Sequence, residues 1–104
     1  MNKPFGFLQW KAFKELSNFD LYEIMSFRQN IFSVEQETWY KDADGLDLNS
    51  LHLLGKDEDK SLVAYLRLIE PKSKFPEPSL GRVSVDKKFR GNGLGRKLIK
   101  EGIR

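Results

Sequence analysis

The sequence predicts a mixed α/β fold in which helices flank a mostly antiparallel sheet. Two short apolar runs on either side of a charged turn indicate an antiparallel hairpin, and a segment with apolar residues at helical spacing lies both before and after them. The chain has 104 residues, of which 39% are hydrophobic, and this length is sufficient for one domain at most. We therefore expect a single domain over residues 1–104.

The first predicted elements are a strand and a helix. Leu8 to Phe13 is typical of an opening strand. Asp20, followed three residues later by Glu23, resembles a capping box, so a helix should begin near Leu21. The apolar stripe of this helix contains Arg28, which is costly to bury unless it is paired.

The rest of the chain completes the sheet and adds a second helix. Ser50–Lys56 and Leu62–Ile69 flank the charged turn Asp57–Lys60 and predict the hairpin. A proline-rich segment then predicts a long loop, and Ser79–Asp86 predicts a further strand. From Gly93 onward, apolar residues recur at helical spacing among basic ones, which predicts a second amphipathic helix.

Composition and charge exclude several classes of protein. The chain has no cysteine, which excludes a disulfide framework, a cysteine-based zinc site and a cysteine nucleophile. It contains neither a run of 18 apolar residues nor a signal-peptide pattern, so we expect a cytoplasmic protein. Residues 1–81 carry 10 basic and 13 acidic residues, whereas residues 82–104 carry 8 and 2. Such a basic segment attracts anions, either a nucleic-acid backbone or the phosphates of a small cofactor.

The aspartate-rich segment Asp42–Asp47 suggests a calcium loop at first inspection. Aligning Gly45 with the glycine of an EF-hand places Tyr40 at the first ligand position and Leu51 at the twelfth. Neither side chain suits calcium there. We therefore expect no metal site and interpret these aspartates as capping and turn residues.

The most informative segment connects the last predicted strand to the second helix. It has three glycines at alternate positions between Arg90 and Arg96. Glycines let the backbone approach a ligand, successive N–H groups converge on phosphate oxygens, and a helix N-terminus favours negative charge. The Gly-Lys-Ser/Thr of a P-loop is absent, and a dinucleotide fingerprint starting at Gly91 would need a glycine at position 96. The segment thus predicts an anion cradle of another kind.

This segment resembles the GNAT superfamily of N-acetyltransferases. Arg90-Gly91-Asn92-Gly93-Leu94-Gly95 matches Arg/Gln-x-x-Gly-x-Gly/Ala after a Val-x-Val strand. Further segments look like the ElaA-like branch of that superfamily, and they are Arg28–Gln36, Tyr40–Asp47, His52 and Ala64–Arg67. The resemblance covers residues 8 to 104, with Thr38-Trp39 standing where that branch usually carries Cys-Pro.

The resemblance implies that the chain binds acetyl-CoA. The backbone of the Val83–Val85 strand would hydrogen-bond the pantetheine arm like an added strand, and the glycine segment would hold the pyrophosphate. The implied cofactor-binding residues are Val83, Ser84, Val85, Arg90, Gly91, Asn92, Gly93, Leu94, Gly95 and Arg96. The implied reaction is direct acyl transfer, in which an amine attacks the thioester and backbone N–H groups stabilise the oxyanion.

Two residues are candidates for the general base. His52 is the only histidine, and the ordinary pKa of an imidazole suits proton transfer near neutrality. A hydrogen-bonded structural histidine is the alternative. Glu35 resembles the carboxylates that deprotonate the amine in related acetyltransferases, directly or through water. The alternative for Glu35 is an ion pair with Arg28.

The hairpin also predicts a polar cluster on one face of the sheet. If the chain turns near Glu58, His52 lies opposite Tyr65. Arg67 then shares their face, whereas a slip of one residue would scatter the three side chains. Together with Arg28, Tyr65 and Arg67 are the predicted residues of a pocket for a carboxylate or another polar acyl acceptor. The alternative is that Arg28 pairs with an acidic neighbour of the same chain.

The resemblance sets an expectation for length and partners. A complete fold of this kind takes about 150 residues, so we expect an N-terminal portion whose sheet is incomplete at the C-terminus. The alternative to catalysis on a small-molecule or peptide amine is a non-catalytic acyl-CoA-binding or oligomerising module. An exposed sheet edge predicts dimerisation or swapping. We expect no nucleic-acid or membrane partner, since the basic residues flank glycines and do not interleave with aromatic residues.

Overall fold

The computed structural model describes residues 5–35, 42–70, 79–91 and 93–103. Four strands form one antiparallel sheet in the order β1-β2-β3-β4, and they are β1 (Phe5–Ala12), β2 (Ser50–Asp57), β3 (Leu62–Ile69) and β4 (Ser79–Val85). The helices are α1 (Asn18–Arg28), continued by a π-helical segment (Gln29–Glu35), and α2 (Leu94–Ile103). Short 3₁₀ turns span Phe13–Glu15, Leu46–Asn49 and Lys87–Phe89. The predicted mixed fold with a mostly antiparallel sheet is confirmed.

The two α-helices cover opposite faces of the sheet. Leu66 of β3 packs in one buried cluster with Leu98 of α2. Its neighbour Tyr65 packs in a second buried cluster with Ile24 of α1. Successive residues of a strand point to opposite faces, and burying each large apolar side chain stabilises the fold by about 2 kcal/mol. None of the helices among the described residues is long and apolar enough to span a membrane.

Helix α1 begins three residues before the predicted start at Leu21. Ser17 is the N-cap: its Oγ accepts a hydrogen bond from the Asp20 N–H at 3.0 Å, and the Asp20 carboxylate accepts one from the Ser17 N–H at 3.1 Å. The predicted capping box of Asp20 and Glu23 is therefore wrong. Glu23 instead accepts a hydrogen bond from the Leu62 N–H at 2.9 Å, which fixes the helix to β3.

The β2–β3 hairpin differs from its predicted register by two residues. The predicted pairing of His52 with Tyr65 is wrong, because Arg67 lies opposite His52. The difference has two causes, a turn centred on Asp59 and a bulge next to Gly55. A shift of two residues keeps every side chain on its face. His52, Tyr65 and Arg67 therefore share one face, as the sequence predicts.

Strand β4 contains a bulge near its middle. Two residues of β4, Arg82 and Val83, lie opposite the single residue Leu66 of β3. Arg82 has a φ of 52°, in the left-handed region that non-glycine residues rarely adopt. A bulge bends its strand and redirects the residues that follow it. In β4 those residues are the predicted cofactor-binding strand.

Candidate functional site

The glycine loop, residues 90–95, connects β4 and its 3₁₀ turn to α2. Gly91 and Gly93 have φ values of 85° and 78°, which would strain any other residue. The Gly93 carbonyl accepts a hydrogen bond from the Lys97 N–H at 3.0 Å, so the helical bonding begins there. The first N–H groups of α2 have no partner within the helix and are directed into this loop. Asn92, which the sequence analysis also assigned to the cofactor, lies outside the described residues.

Gly95 has no structural requirement of its own for glycine. Its φ is not positive, and an added Cβ would lie 3.8 Å from Val85 Cγ2, which is an ordinary contact. Gly95 nevertheless lines an open groove with a volume of about 660 Å³, which we name the α2 groove. The groove is lined by Gly91, Gly93, Gly95, Arg96, Ile99, Lys100 and Ile103. Alanine at position 95 would therefore fit the fold without a clash, next to the groove.

The charges at the groove suit an anion. Arg96 and Lys100 line it, and the N-terminus of α2 adds the positive end of the helix dipole. Arg90, the first residue of the glycine loop, is anchored to β4, since its Nε donates a hydrogen bond to the Val85 carbonyl at 2.8 Å. Leu94 is 6% exposed and packs in the core, so it contributes only its backbone to the loop.

The predicted strand for the pantetheine arm, residues 83–85, leads directly into this loop. The Asp86 N–H donates a hydrogen bond to the Val63 carbonyl of β3 at 2.8 Å. Backbone groups alternate in direction along a strand, so those of Val85 are directed away from β3. The carbonyl of Val85 is already bonded by Arg90. Among the described strands, β4 is an edge of the sheet, and the hydrogen bond from Arg90 joins its outer side to the glycine loop.

The arginine–aspartate cluster joins side chains from four segments, which are α1, β3, β4 and residues 42–47. It consists of Arg28, Arg67, Arg82, Asp42, Asp44 and Asp47. Asp47 Oδ1 lies 2.7 Å from Arg28 Nη1 and 2.9 Å from Arg67 Nη1. The remaining pairs are Asp42 with Arg28 and Arg82, at 3.0 and 2.7 Å, and Asp44 with Arg67 and Arg82, at 2.6 and 3.3 Å. Each buried positive charge therefore has a negative partner from the same chain.

This cluster occupies the place of the predicted acceptor pocket. Arg28 and Arg67 are 0% and 2% exposed, and the carboxylates they bind belong to the protein. Tyr65 is fully buried beneath Arg28, whose Cζ lies 5.7 Å from the ring centroid. The contacts of Arg28 are those of the alternative, pairing with acidic neighbours. That these three residues bind an acceptor stays a prediction.

His52 has the surroundings of a structural histidine. It is 1% exposed, with Nδ1 2.6 Å from Tyr65 Oη and Nε2 3.0 Å from the Asp47 carbonyl. Burial lowers the pKa of His52 and therefore favours the neutral ring. Burial also raises the pKa of the Tyr65 phenol, which thus stays protonated and donates a hydrogen bond to His52 Nδ1. Both ring nitrogens of His52 therefore take part in hydrogen bonds within the protein.

The structure places Glu35 at the end of the π-helical segment that follows α1. Its side chain lies outside the described part of the chain, so its role as general base stays a prediction. Arg82 was not predicted from the sequence, and the aspartates were interpreted as turn residues. Asp44 does cap a turn, since its Oδ1 accepts a hydrogen bond from the Leu46 N–H at 3.0 Å. The one signal in the sequence was Arg28 on an apolar stripe, since a buried arginine needs an acidic partner. The sequence does not show which aspartates are its partners.

Comparison with known families and proteins agrees with this geometry. The family described as the Acetyltransferase (GNAT) family matches residues 10–104. A UPF0039 protein of Synechocystis is 48% identical over 90 residues, which cover 86% of this chain and 58% of that protein. Protein ElaA of Escherichia coli is 35% identical over 100 residues, which cover 92% of this chain and 65% of ElaA. The chain thus spans about three fifths of the length of these relatives.

Two solved structures are similar over almost the whole chain. The crystal structure of an acyl-CoA N-acyltransferase from Pseudomonas aeruginosa superimposes with a TM-score of 0.87 at 34% identity, covering 93% of this chain and 66% of that one. The crystal structure of Escherichia coli ElaA gives a TM-score of 0.83 at 34% identity, covering 93% and 68%. The antiparallel sheet and its two helices are therefore an arrangement that these proteins share.

Proposed function

The chain belongs to the GNAT acetyltransferase family, and on that premise we propose that it is an N-acyltransferase acting on acetyl-CoA and an amine. The observation that carries the proposal is Gly95, which lines the α2 groove although neither its backbone nor its packing requires glycine. A phosphate group is a ligand that the N-terminus of a helix binds well when arginine and lysine lie close to it. Acetyl-CoA carries a pyrophosphate of this kind.

The proposed binding mode uses the α2 groove for the pyrophosphate and residues 83–85 of β4 for the pantetheine arm. The backbone N–H groups at the start of α2 would hold the pyrophosphate, and Arg96 and Lys100 would neutralise its charge. Residues 83–85 would pair with the amides of the pantetheine arm as an added strand, because β4 is an edge of the described sheet. The thioester would then lie close to the bulge of β4.

The proposed reaction is direct transfer. The amine nitrogen, after losing a proton, attacks the thioester carbonyl carbon. A new C–N bond forms, the C–S bond breaks, and the sulfur leaves with the bonding electron pair and takes up a proton. The backbone N–H groups of residues 83–85 that are directed away from β3 would stabilise the negative charge that develops on the carbonyl oxygen. Glu35 is the proposed acceptor of the amine proton, since the ring nitrogens of His52 are bonded within the core.

Calorimetric titration with acetyl-CoA tests the proposed binding site. We expect wild-type protein to bind, and Arg96→Ala to bind about tenfold more weakly, as expected for the loss of one charge-assisted hydrogen bond. Lys97→Ala is the matched control, because Lys97 is the next residue of the same helix and does not line the groove. Equal weakening by both substitutions, or no binding by the wild-type chain, would refute the proposal.

A second candidate function is binding of acyl-CoA without turnover. The burial of His52, with both ring nitrogens bonded, favours it, because this group would otherwise be the obvious base. Release of free thiol from acetyl-CoA in the presence of small-molecule or peptide amines separates the two functions. Binding with amine-dependent thiol release supports the transferase, and binding without it supports the second candidate.

A further inference from the structure

Arg82 adopts an unusual backbone conformation for its place in the fold. Its φ is 52°, inside a strand. Among the described residues, Lys60 is the other non-glycine residue with a positive φ, 65°, and it lies in the β2–β3 turn, where this conformation is common. A left-handed residue within a strand is strained, and it persists only where the surrounding structure holds it. The contacts of Arg82 should therefore explain what holds it.

Both the side chain and the backbone of Arg82 are fixed. Its Nε donates a hydrogen bond to Asp42 Oδ1 at 2.7 Å, and its Nη2 lies 3.3 Å from both the Asp42 carbonyl and Asp44 Oδ2. Its own carbonyl accepts a hydrogen bond from Ser84 Oγ at 2.7 Å. Ser84 is 4% exposed, so this bond is shielded from water. The bulge is thus held from two sides.

The two aspartates that hold Arg82 are fixed in turn by buried groups. Asp42 Oδ2 lies 3.0 Å from Arg28 Nε, and Asp44 Oδ2 lies 2.6 Å from Arg67 Nη2. Arg28 ends α1 and Arg67 lies within β3, so the bulge is connected to the two elements beside it. The position of the bulge therefore depends on the whole cluster and not on the sequence of β4 alone.

We propose that Arg82 is a positioning residue, whose pairing with Asp42 and Asp44 sets the direction in which residues 83–85 present their backbone to the acyl-pantetheine arm. The proposal rests on the proposed function. Arg82 does not touch the ligand in this role, and it acts because the bulge redirects the strand immediately before Val83. The glycine loop holds the pyrophosphate independently. Loss of the Arg82 side chain should therefore weaken binding of the pantetheine arm of acetyl-CoA and leave binding of the pyrophosphate unchanged.

The variant Arg82→Gly isolates this role. Glycine accepts the left-handed φ, so the substitution removes the side chain and adds no strain. We expect Arg82→Gly to bind acetyl-CoA about tenfold more weakly than wild type, as for the loss of one backbone hydrogen bond. Binding of ADP, which carries the pyrophosphate and lacks the pantetheine arm, should stay within about twofold. Arg82→Lys should restore part of the acetyl-CoA affinity, since a cation again faces Asp42.

Two controls keep the test decisive. Lys60→Gly makes the same exchange at the other left-handed residue, remote from the cluster, and should change neither affinity. If Arg82→Gly does not fold, Asp42→Asn removes the charge that Arg82 binds and should show the same loss for acetyl-CoA alone. Unchanged acetyl-CoA binding, or an equal loss for acetyl-CoA and ADP, would overturn the positioning role while leaving the proposed function intact. Failure of the wild-type chain to bind either compound would overturn the proposed function itself.

Discussion

The Asp47 carboxylate binds the fully buried guanidinium of Arg28, with 2.7 Å between Oδ1 and Nη1. The same oxygen lies 2.9 Å from Nη1 of Arg67. One residue of the segment before β2 therefore holds α1 and β3 together. Burying two guanidinium groups is costly, and their shared carboxylate offsets much of that cost.

Substitution of Asp47 should be strongly destabilising. Asp47→Asn keeps the shape of the side chain but leaves two buried cations short of a negative partner, so we expect a loss of about 3 kcal/mol in the free energy of unfolding. Urea denaturation measures it. Glu58→Gln, in the exposed β2–β3 turn, is the matched control and should change stability by less than about 0.5 kcal/mol. Similar losses in the two variants would contradict the central place of Asp47.

The contribution of Asp44 to the stability of the protein should be lost in acid. The hydrogen bond from Arg67 holds the pKa of the Asp44 carboxyl well below its ordinary value of 3.8, and this outweighs the opposing effect of burial. The unfolded chain then takes up a proton at a higher pH than the folded chain does. The contribution of Asp44 is therefore complete above the ordinary pKa and is lost as pH falls below it.

Urea midpoints of wild type and Asp44→Asn between about pH 6 and pH 2 check this dependence. We expect the variant to be less stable near neutrality and the two curves to converge in acid. A stability difference that stays constant over this range would show that the carboxylate charge is not what Asp44 contributes.

His52 should titrate below the ordinary range of a histidine. Burial lowers its pKa from 6.5, because the charged ring would lose its hydration, and this outweighs the effect of the Asp47 carbonyl. The unfolded chain binds a proton first as pH falls, so stability should be complete above pH 6.5 and should decrease below it. The chain has one histidine, so its imidazole resonance is unambiguous in a proton NMR titration. A midpoint at or above 6.5 would contradict the buried, neutral ring.

The sequence predicted those parts of the fold that depend on local pattern. The hairpin arms and α2 follow from apolar periodicity and a charged turn, and both are confirmed. The start of α1 was misplaced because two overlapping pairs, Ser17 with Asp20 and Asp20 with Glu23, have capping spacing. Only a tertiary contact, that of Glu23 with the Leu62 N–H, decides between them. The register was misplaced because an apolar pattern shows neither the centre of the turn nor the bulge next to Gly55.

The candidate site likewise has one part that follows from a local pattern and one part that depends on tertiary contacts. The glycine loop is a contiguous motif, so its residues could be named from the sequence. The arginine–aspartate cluster could not, because its hydrogen bonds join residues between 14 and 40 positions apart in the chain. Arg82 shows the difference most clearly: no local pattern marks it, and its left-handed φ is explained only by aspartates from a distant segment.

Gly95 offers a test in which stability and binding should change in opposite directions. Alanine at position 95 lies in the first turn of α2, meets Val85 Cγ2 at an ordinary 3.8 Å and has a better helix propensity than glycine. Gly95→Ala should therefore stabilise the free protein, by about 0.5 kcal/mol. It should also weaken acetyl-CoA binding, because the methyl group is added at a residue that lines the α2 groove. Thermal unfolding and calorimetric titration measure the two effects.

Gly93→Ala is the informative companion to Gly95→Ala. Its φ of 78° is strained for alanine, so this variant should lose about 1 kcal/mol of stability as well as affinity for acetyl-CoA. The two substitutions add the same methyl group two residues apart, yet only Gly95→Ala should raise the melting temperature. If Gly95→Ala were both more stable and equally able to bind acetyl-CoA, glycine at this position would have no role in ligand binding. The α2 groove would then lose the observation that assigns it to the cofactor.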